Sequence, residues 1–307
     1  MKFSEIIDSW FSSKKGFVKE STLSVYYNAI RKHILPYWED IDTSAVRKNE
    51  LQMFIGSRIS AGLSISSAKD INMIMRQIIM YANDDMGLNI DVSLKVKYPR
   101  KSMEEQSMEQ VYTKDECAKF IEYFERTKSL SALGVIIALY TGLRIGEVSG
   151  LQFADIDLSE KSLCVRRTVE RIVDIDNGKT KMLVGLPKTP SSQRCIPLHA
   201  DLIHFIQPIK EFFHPNFYVL SGTDNPIEPR TFRNAYYRIC KEIGIKKPLK
   251  FHALRHTCAT LLIEAGNDVK NVSAVLGHSN VTTTLNIYTH ASFKKQSEAI
   301  QSLSFKV

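Results

Sequence analysis

The sequence predicts a mainly α-helical chain with a small antiparallel β-sheet, divided into two domains. Three observations carry that prediction. A single core usually stops growing at about 250 to 300 residues, and this chain has 307. Apolar residues recur at helical spacing, most clearly at Ile71, Ile74, Met75, Ile78, Ile79 and Ala82, which follow i, i+3, i+4, i+7, i+8, i+11. Only residues 163–198 turn β-rich, with Leu163-Cys164-Val165, Ile172-Val173 and Cys195-Ile196 separated by Asp-Asn-Gly and Pro-Ser-Ser turn signals.

Residues 1–95 read as an N-terminal domain of several short helices. Around the α-helical stripe stand Lys69, Asn72 and Arg76, placed to meet phosphate. The stretch 96–110 is polar and charged with no periodic apolar face, and reads as a linker. The second domain, 111–307, opens with the capping-box pattern Thr113-Lys114-Asp115-Glu116, which leads into Phe120, Ile121 and Phe124. Leu133, Ile136, Ile137 and Tyr140 then form a buried stripe that ends at Gly142. After the β-rich part, Phe232, Tyr236, Ile239, Cys240 and Ile243 line one helix before Gly244; Leu254, Cys258, Leu261, Leu262 and Ala265 line another before Gly266.

Composition bounds the class of function. A hydrophobic fraction of 44% and a charged fraction of 24% describe an ordinary globular protein. Forty-one Lys and Arg against 33 Asp and Glu leave +8, the imbalance of a polyanion binder. Cys117, Cys164, Cys195, Cys240 and Cys258 are scattered without a C-x-x-C pair, and are expected as reduced core or surface thiols. No stretch reaches the roughly 18 apolar residues of a membrane span, and the first residues lack a signal-like apolar region, so a cytoplasmic location is expected.

The densest polar constellation is His252-Ala253-Leu254-Arg255, then Leu276-Gly277-His278, then Tyr288. His252 and Arg255, at i and i+3, are expected to converge outside the core while Leu254 and Cys258 turn inward. His252 and His256 have metal-pair spacing, but no Glu stands where a zincin base is needed, and Arg255 between them would repel a dication. A guanidinium prefers phosphate or carboxylate, so phosphate chemistry is the better reading and no cofactor is expected.

In these residues the chain resembles the tyrosine recombinase family, the integrases of phages and mobile elements. Thr141-Gly142-Leu143-Arg144-Ile145-Gly146-Glu147 is similar to the family's first-arginine motif. Pro187-Lys188-Thr189-Pro190-Ser191-Ser192-Gln193-Arg194, running to Ile196-Pro197-Leu198, resembles its lysine-bearing β-hairpin. His252-x-x-Arg255, Leu276-Gly277-His278 and Tyr288-Thr289-His290 complete the set in order. The resemblance is specific across about residues 113–292 and weak before residue 95.

It implies a helical, SAM-like core-DNA-binding domain and a C-terminal catalytic domain. The implied activity is site-specific recombination of duplex DNA through a 3′-phosphotyrosine on Tyr288, for integration or excision of a mobile element. Arg144, Lys188, His252, Arg255, His278 and Tyr288 are the implied catalytic set. A phenol suits the reaction because it can attack phosphorus and later leave, conserving the bond in a covalent intermediate. Arg144 and Arg255 would hold the non-bridging oxygens, and Glu147 would buttress a basic residue. Lys188 is the implied acid for the departing 5′ oxygen and His252 the partner of Tyr288; His278 either bonds the phosphate or joins the proton transfer.

Implied partners are double-stranded DNA and three further copies in a homotetrameric synapse, with monomer or dimer off DNA, and accessory DNA-bending or directionality proteins. Arg230, Arg233, Arg238 and Lys241, followed by Lys246, Lys247 and Lys250, suit phosphate tracking. The tail after Tyr288 either docks on a neighbouring protomer, as the resemblance suggests, or folds back on its own domain. Alternatives of the same chemistry are a chromosome-dimer resolvase and a type IB-like topoisomerase; one of another class is a catalytically silent DNA-binding protein.

Overall fold

Apolar stripes at helical spacing have to be buried against other stripes, and among the described residues the chain does this in two large cores and a small third cluster of Ala259, Ile263, Val272 and Leu276. The computed structural model describes residues 1–99, 111–187, 190–277 and 280–282. It divides into one unit of Met1–Gln106 with Arg171–Leu183, and another of Ser107–Glu170 with Val184–Val307.

In the first unit, α1 (Phe3–Lys14), α2 (Glu20–Ala29), a π-helical turn (Ile30–Ile34) leading into α3 (Leu35–Trp38), α4 (Glu50–Ser60) and α5 (Ile65–Asp84) surround one core. The predicted α5 stripe is buried throughout, and Ser64 caps the helix by accepting from the Ser67 N–H. Trp38 sits between Phe3 and Phe54, with ring centroids 4.5 Å and 5.8 Å away. Asn72, expected beside the stripe and open to phosphate, is instead buried, because it lies at i+1 from Ile71 on the edge of a wide apolar face. The start of the expected linker is also docked. Val96 and Tyr98 pack on this core, and Lys97 exchanges backbone hydrogen bonds with the Gln52 amide at 2.7 and 3.2 Å.

The second unit is built around α7 (Leu130–Thr141), buried on nearly every side from Ala132 to Leu139. Against it pack α6 (Lys114–Thr127), opened by the predicted Thr113–Glu116 capping box, and later α8 (Ile145–Ser149), α9 (Ala200–Lys210), α10 (Pro229–Glu242) and α11 (Ala253–Glu264). α12 (Val269–Leu276) completes it, packed on α11 and capped by Asp268. Of the predicted face of α11, Leu254 and Cys258 are buried, joined by Ala259 and Ile263. Ala265 is exposed, since the helix has already ended, and Leu261 and Leu262 are only half-buried. A pair of tyrosine hydroxyls, Tyr112 and Tyr236, hydrogen-bond inside this core and are satisfied by the backbone of Leu249.

The β-rich part forms two sheets rather than one. β1 (Ile156–Asp157), β2 (Ser162–Val165) and β5 (Arg194–Pro197) make a three-stranded antiparallel sheet in the order β1-β2-β5. β3 (Thr168–Val173) and β4 (Thr180–Gly185) pair separately around the predicted Asp-Asn-Gly turn, where Gly178 has φ +68°. Although only two residues separate β2 from β3, the two do not pair, and β2 takes β5 as a partner from beyond the hairpin. The outer part of that hairpin groups with the N-terminal unit, a division that boundaries read linearly along the chain did not anticipate.

That long-range pairing also corrects the cysteine reading. Cys164 and Cys195 are register partners on β2 and β5, with Cα atoms 4.0 Å apart, and are joined by a disulfide. Cys117, Cys240 and Cys258 are free and buried, as expected. Among the described residues no helix is long and apolar enough to cross a membrane.

Gly142, which stops α7, takes φ +65°, and a Cβ there would collide with Leu276 Cδ2. Gly244, after α10, has φ +74° but nothing within 4 Å of its would-be Cβ. Both pay left-handed strain on substitution, on the order of 1–2 kcal/mol, and Gly142 pays overpacking as well. In urea unfolding, Gly142→Ala is expected to lose about 1–3 kcal/mol more than Gly244→Ala. Equal losses would mean that Leu276 moves aside freely.

Candidate active site

The predicted site residues that the structure describes are held by chain breaks between helices of the second unit. Arg144 occupies the N-cap of α8, directly after the Gly142 stop. Its own backbone N–H donates to Glu147 Oε2 at 2.9 Å and its Nη1 to Glu147 Oε1 at 2.8 Å. The remaining Nη2 reaches the Gly277 carbonyl at 3.4 Å, leaving the side chain 38% exposed.

Arg255 departs from expectation. Instead of standing outside the core beside His252, it is 1% exposed, because α11 is buried on the side where it packs against α7. Its Nη1 donates to the Gly142 carbonyl at 2.8 Å, while its Nη2 is buried with no hydrogen-bond partner among the described residues. Burial pushes its pKa down to about 9, with repulsion from Arg144 and Arg194 adding to the effect, so it remains charged at neutral pH. A buried cation with one fork arm unsatisfied favours a bound anion.

His252, the N-cap residue of α11, keeps an open outer edge. The protein wall behind it, then His256, Arg255 and Arg144, depress its pKa to about 4. Its ring therefore stays a neutral imidazole at pH 7, set edge-on to His256 with centroids 4.7 Å apart. Neutral, it can accept a proton, which an imidazolium cannot.

Glu147 is buried at 4% exposure, and Arg194 on β5 is its second partner. Arg194 donates Nη2 to Glu147 Oε2 at 3.2 Å and Nη1 to Oε1 at 3.3 Å. Burial raises the carboxyl pKa, but Arg194 and then Arg144 outweigh it, so the group lies below the ordinary carboxylate range. Arg194 also donates to the Ser192 carbonyl at 3.1 Å and, through Nε, to the Val275 carbonyl at 2.6 Å. Sequence reasoning quoted Arg194 within the lysine motif without assigning it a part. It directly precedes Cys195-Ile196, which reads as a strand, but its carboxylate partner lies 47 residues away.

Lys188, His278 and Tyr288 lie outside the described residues. Of the residues expected to meet DNA, Lys69 and Arg76 are exposed on α5 in the first unit, lining with Gln77, Met80 and Tyr98 a groove of about 390 Å³. Lys69 lies over the Tyr98 ring at 5.5 Å. Arg230, Arg233 and Lys241 are exposed on α10 in the second unit, opposite the buried Phe232, Tyr236 and Ile239. Among the described residues no group of His, Cys, Asp and Glu could hold a metal ion.

Comparison with known proteins gives the arrangement a family. The pattern of the phage integrase family matches residues 101–295, and that of the phage integrase N-terminal SAM-like domain matches residues 2–57. A tyrosine recombinase XerC-like protein of Caldanaerobacter subterraneus subsp. tengcongensis is 31% identical over 85% of this chain and 71% of its own. The ICEBs1 integrase of Bacillus subtilis is 26% identical over 89% of this chain and 75% of its own. Among solved structures, the Tn1549 transposon integrase in complex with transposon right end DNA has a TM-score of 0.76 at 20% identity, covering 98% of this chain and 99% of that one. That structural likeness is one of fold; the sequence match over most of the C-terminal unit goes further, and the chain belongs to the phage integrase family of tyrosine recombinases.

Proposed function

We propose that this chain is a site-specific DNA recombinase that cuts and rejoins duplex DNA through a 3′-phosphotyrosine on Tyr288, integrating or excising a mobile element. The observation that carries the reading is the buried guanidinium of Arg255, one arm fixed to the Gly142 carbonyl and the other without a partner among the described residues, beside a half-exposed Arg144. The relatives named as the ICEBs1 integrase of Bacillus subtilis and the integrase of Staphylococcus phage L54a support the mobile-element part. DNA as partner is supported by the Tn1549 and lambda integrases, whose solved structures are DNA complexes.

In this reading the Tyr288 oxygen attacks the scissile phosphorus as its proton passes to His252, whose imidazole is neutral. The bond from phosphorus to the 5′ oxygen breaks, and Lys188 protonates that oxygen as it leaves. Arg144 and Arg255 hold the two non-bridging oxygens, supplying the positive charge that the transition state gathers. His278 bonds the same phosphate or shares in the proton transfer. Attack of a 5′ hydroxyl from the partner duplex reverses each step, so the phosphodiester energy is conserved and neither ATP nor a metal ion enters. Lys69 and Arg76 on one unit, with Arg230, Arg233 and Lys241 on the other, meet phosphates along the duplex. Four copies assemble on two paired sites.

Incubation with a nicked duplex carrying the joined ends of the element should give a denaturation-resistant protein–DNA adduct that Tyr288→Phe does not form. An adduct formed equally by Tyr288→Phe, or one that requires magnesium, refutes the mechanism. Arg255→Lys keeps the charge but cannot bond the Gly142 carbonyl and a phosphate together, and is expected to slow adduct formation by about 10² to 10³-fold at nearly unchanged duplex affinity. A loss below about fivefold would remove Arg255 from the proposed role.

His252 offers a check by pH. Its folded-state pKa lies below the ordinary 6.5, so between about 6.5 and 4 the unfolded chain binds the proton and the folded one does not. Its contribution to stability is therefore full above about 6.5 and is lost as pH falls toward 4. NMR titration of the DNA-free protein should place the His252 midpoint well below 6.5, His256→Gln should raise it, and duplex binding should raise it further. A midpoint at 6.5 in all three samples contradicts the electrostatic reading.

A further inference from the structure

We infer that Arg194 is a positioning residue for strand cleavage: it shares the charge of Glu147 so that Arg144 stays available to a phosphate, and it joins the segments next to Lys188 and His278. The inference rests on the recombinase reading above and assigns a part to a residue outside the catalytic set proposed there.

The argument begins with charge. Glu147 is buried and ionised, and its two oxygens receive four N–H donors: the Arg144 backbone and Nη1, and both terminal nitrogens of Arg194. If Arg144 were its only cationic partner, one buried carboxylate would cancel one guanidinium, and a phosphate would meet Arg255 alone. With Arg194 as second partner, three guanidiniums and one carboxylate leave a surplus of positive charge. That surplus is directed outward, because Arg194 is only 7% exposed while Arg144 is 38% exposed. Arg194 itself is too enclosed to touch DNA, and its nitrogens already have protein acceptors.

Geometry gives Arg194 its second task. Its Nη1 is bonded to the Ser192 carbonyl and its Nε to the Val275 carbonyl. Ser192 lies four residues after Lys188 in the sequence, and Val275 three before His278. Gly277 is wedged against the same side chain: a Cβ there would stand 2.9 Å from Arg194 Cδ and 2.7 Å from the Ser191 carbonyl. Arg144 meanwhile reaches the Gly277 carbonyl itself. One side chain thus ties a strand from the lysine motif, the end of α12 and the carboxylate behind Arg144.

The test uses the full chain and the nicked duplex of joined element ends, with single-turnover adduct formation, duplex affinity and thermal midpoint measured together. Arg194→Gln is expected to slow adduct formation on the order of 10²-fold with duplex affinity within about threefold of wild type. Arg194→Lys, which retains the charge but not the three-way hydrogen bonding, should recover part of that rate. Because part of its effect runs through Arg144, Arg194→Gln should slow the Arg144→Lys variant by clearly less than it slows wild type. Losses that multiply in the double variant, or that follow duplex affinity, overturn the inference. Should Arg194→Gln fail to fold, Arg194→Lys decides: about tenfold slower cleavage at unchanged affinity supports the role, and a wild-type rate ends it. Absence of adduct with the wild-type chain would instead count against the recombinase reading.

Discussion

Three guanidiniums brought into one small, largely buried volume repel one another, and what permits the arrangement is the Glu147 carboxylate set between two of them. Arg144 and Arg194 approach it from different elements, α8 and β5, and both its oxygens are doubly occupied. Removing a buried carboxylate of this kind leaves uncompensated cations in a poor dielectric, which is costly in a way that no surface ion pair is. The ends of α7, α11 and α12 are consequently drawn to the same place, through the carbonyls of Gly142, Val275 and Gly277.

The same constraint makes the site suited to an anion. Helix ends offer carbonyl groups, and here they orient cations rather than neutralise them, because a carbonyl accepts a hydrogen bond without carrying a full charge. Among the described residues one arm of Arg255 has no acceptor at 1% exposure, a state that favours a bound anion. His252 has its pKa depressed first by burial and by His256, and Arg255 and Arg144 add to the effect. The local excess of positive charge thus favours a bound anion and adds to the forces that keep the neighbouring imidazole neutral.

The N-terminal unit follows simpler rules. Its helices are fixed by aromatic packing around Trp38 and by the α5 stripe, and its polar outer face is left for other purposes. The groove beside Tyr98 exists because the chain after α5 returns to dock there through Gln52, which gives Lys69 an aromatic ring to lie over.

Periodicity and capping chemistry are local, so the sequence by itself determined α5, α6, α7 and α10, the Thr113 cap, the Gly142 stop and the hairpin turn, and it placed Arg144, His252 and Arg255 at the ends of helices. It could not determine what pairs across long separations. The split into two sheets, the Cys164–Cys195 link, the burial of Arg255 and Asn72, and the place of Arg194 beside Glu147 were decided only by tertiary structure. The physical reason is that a strand's register and a guanidinium's acceptor depend on which distant segment arrives opposite, and spacing along the chain carries no record of that.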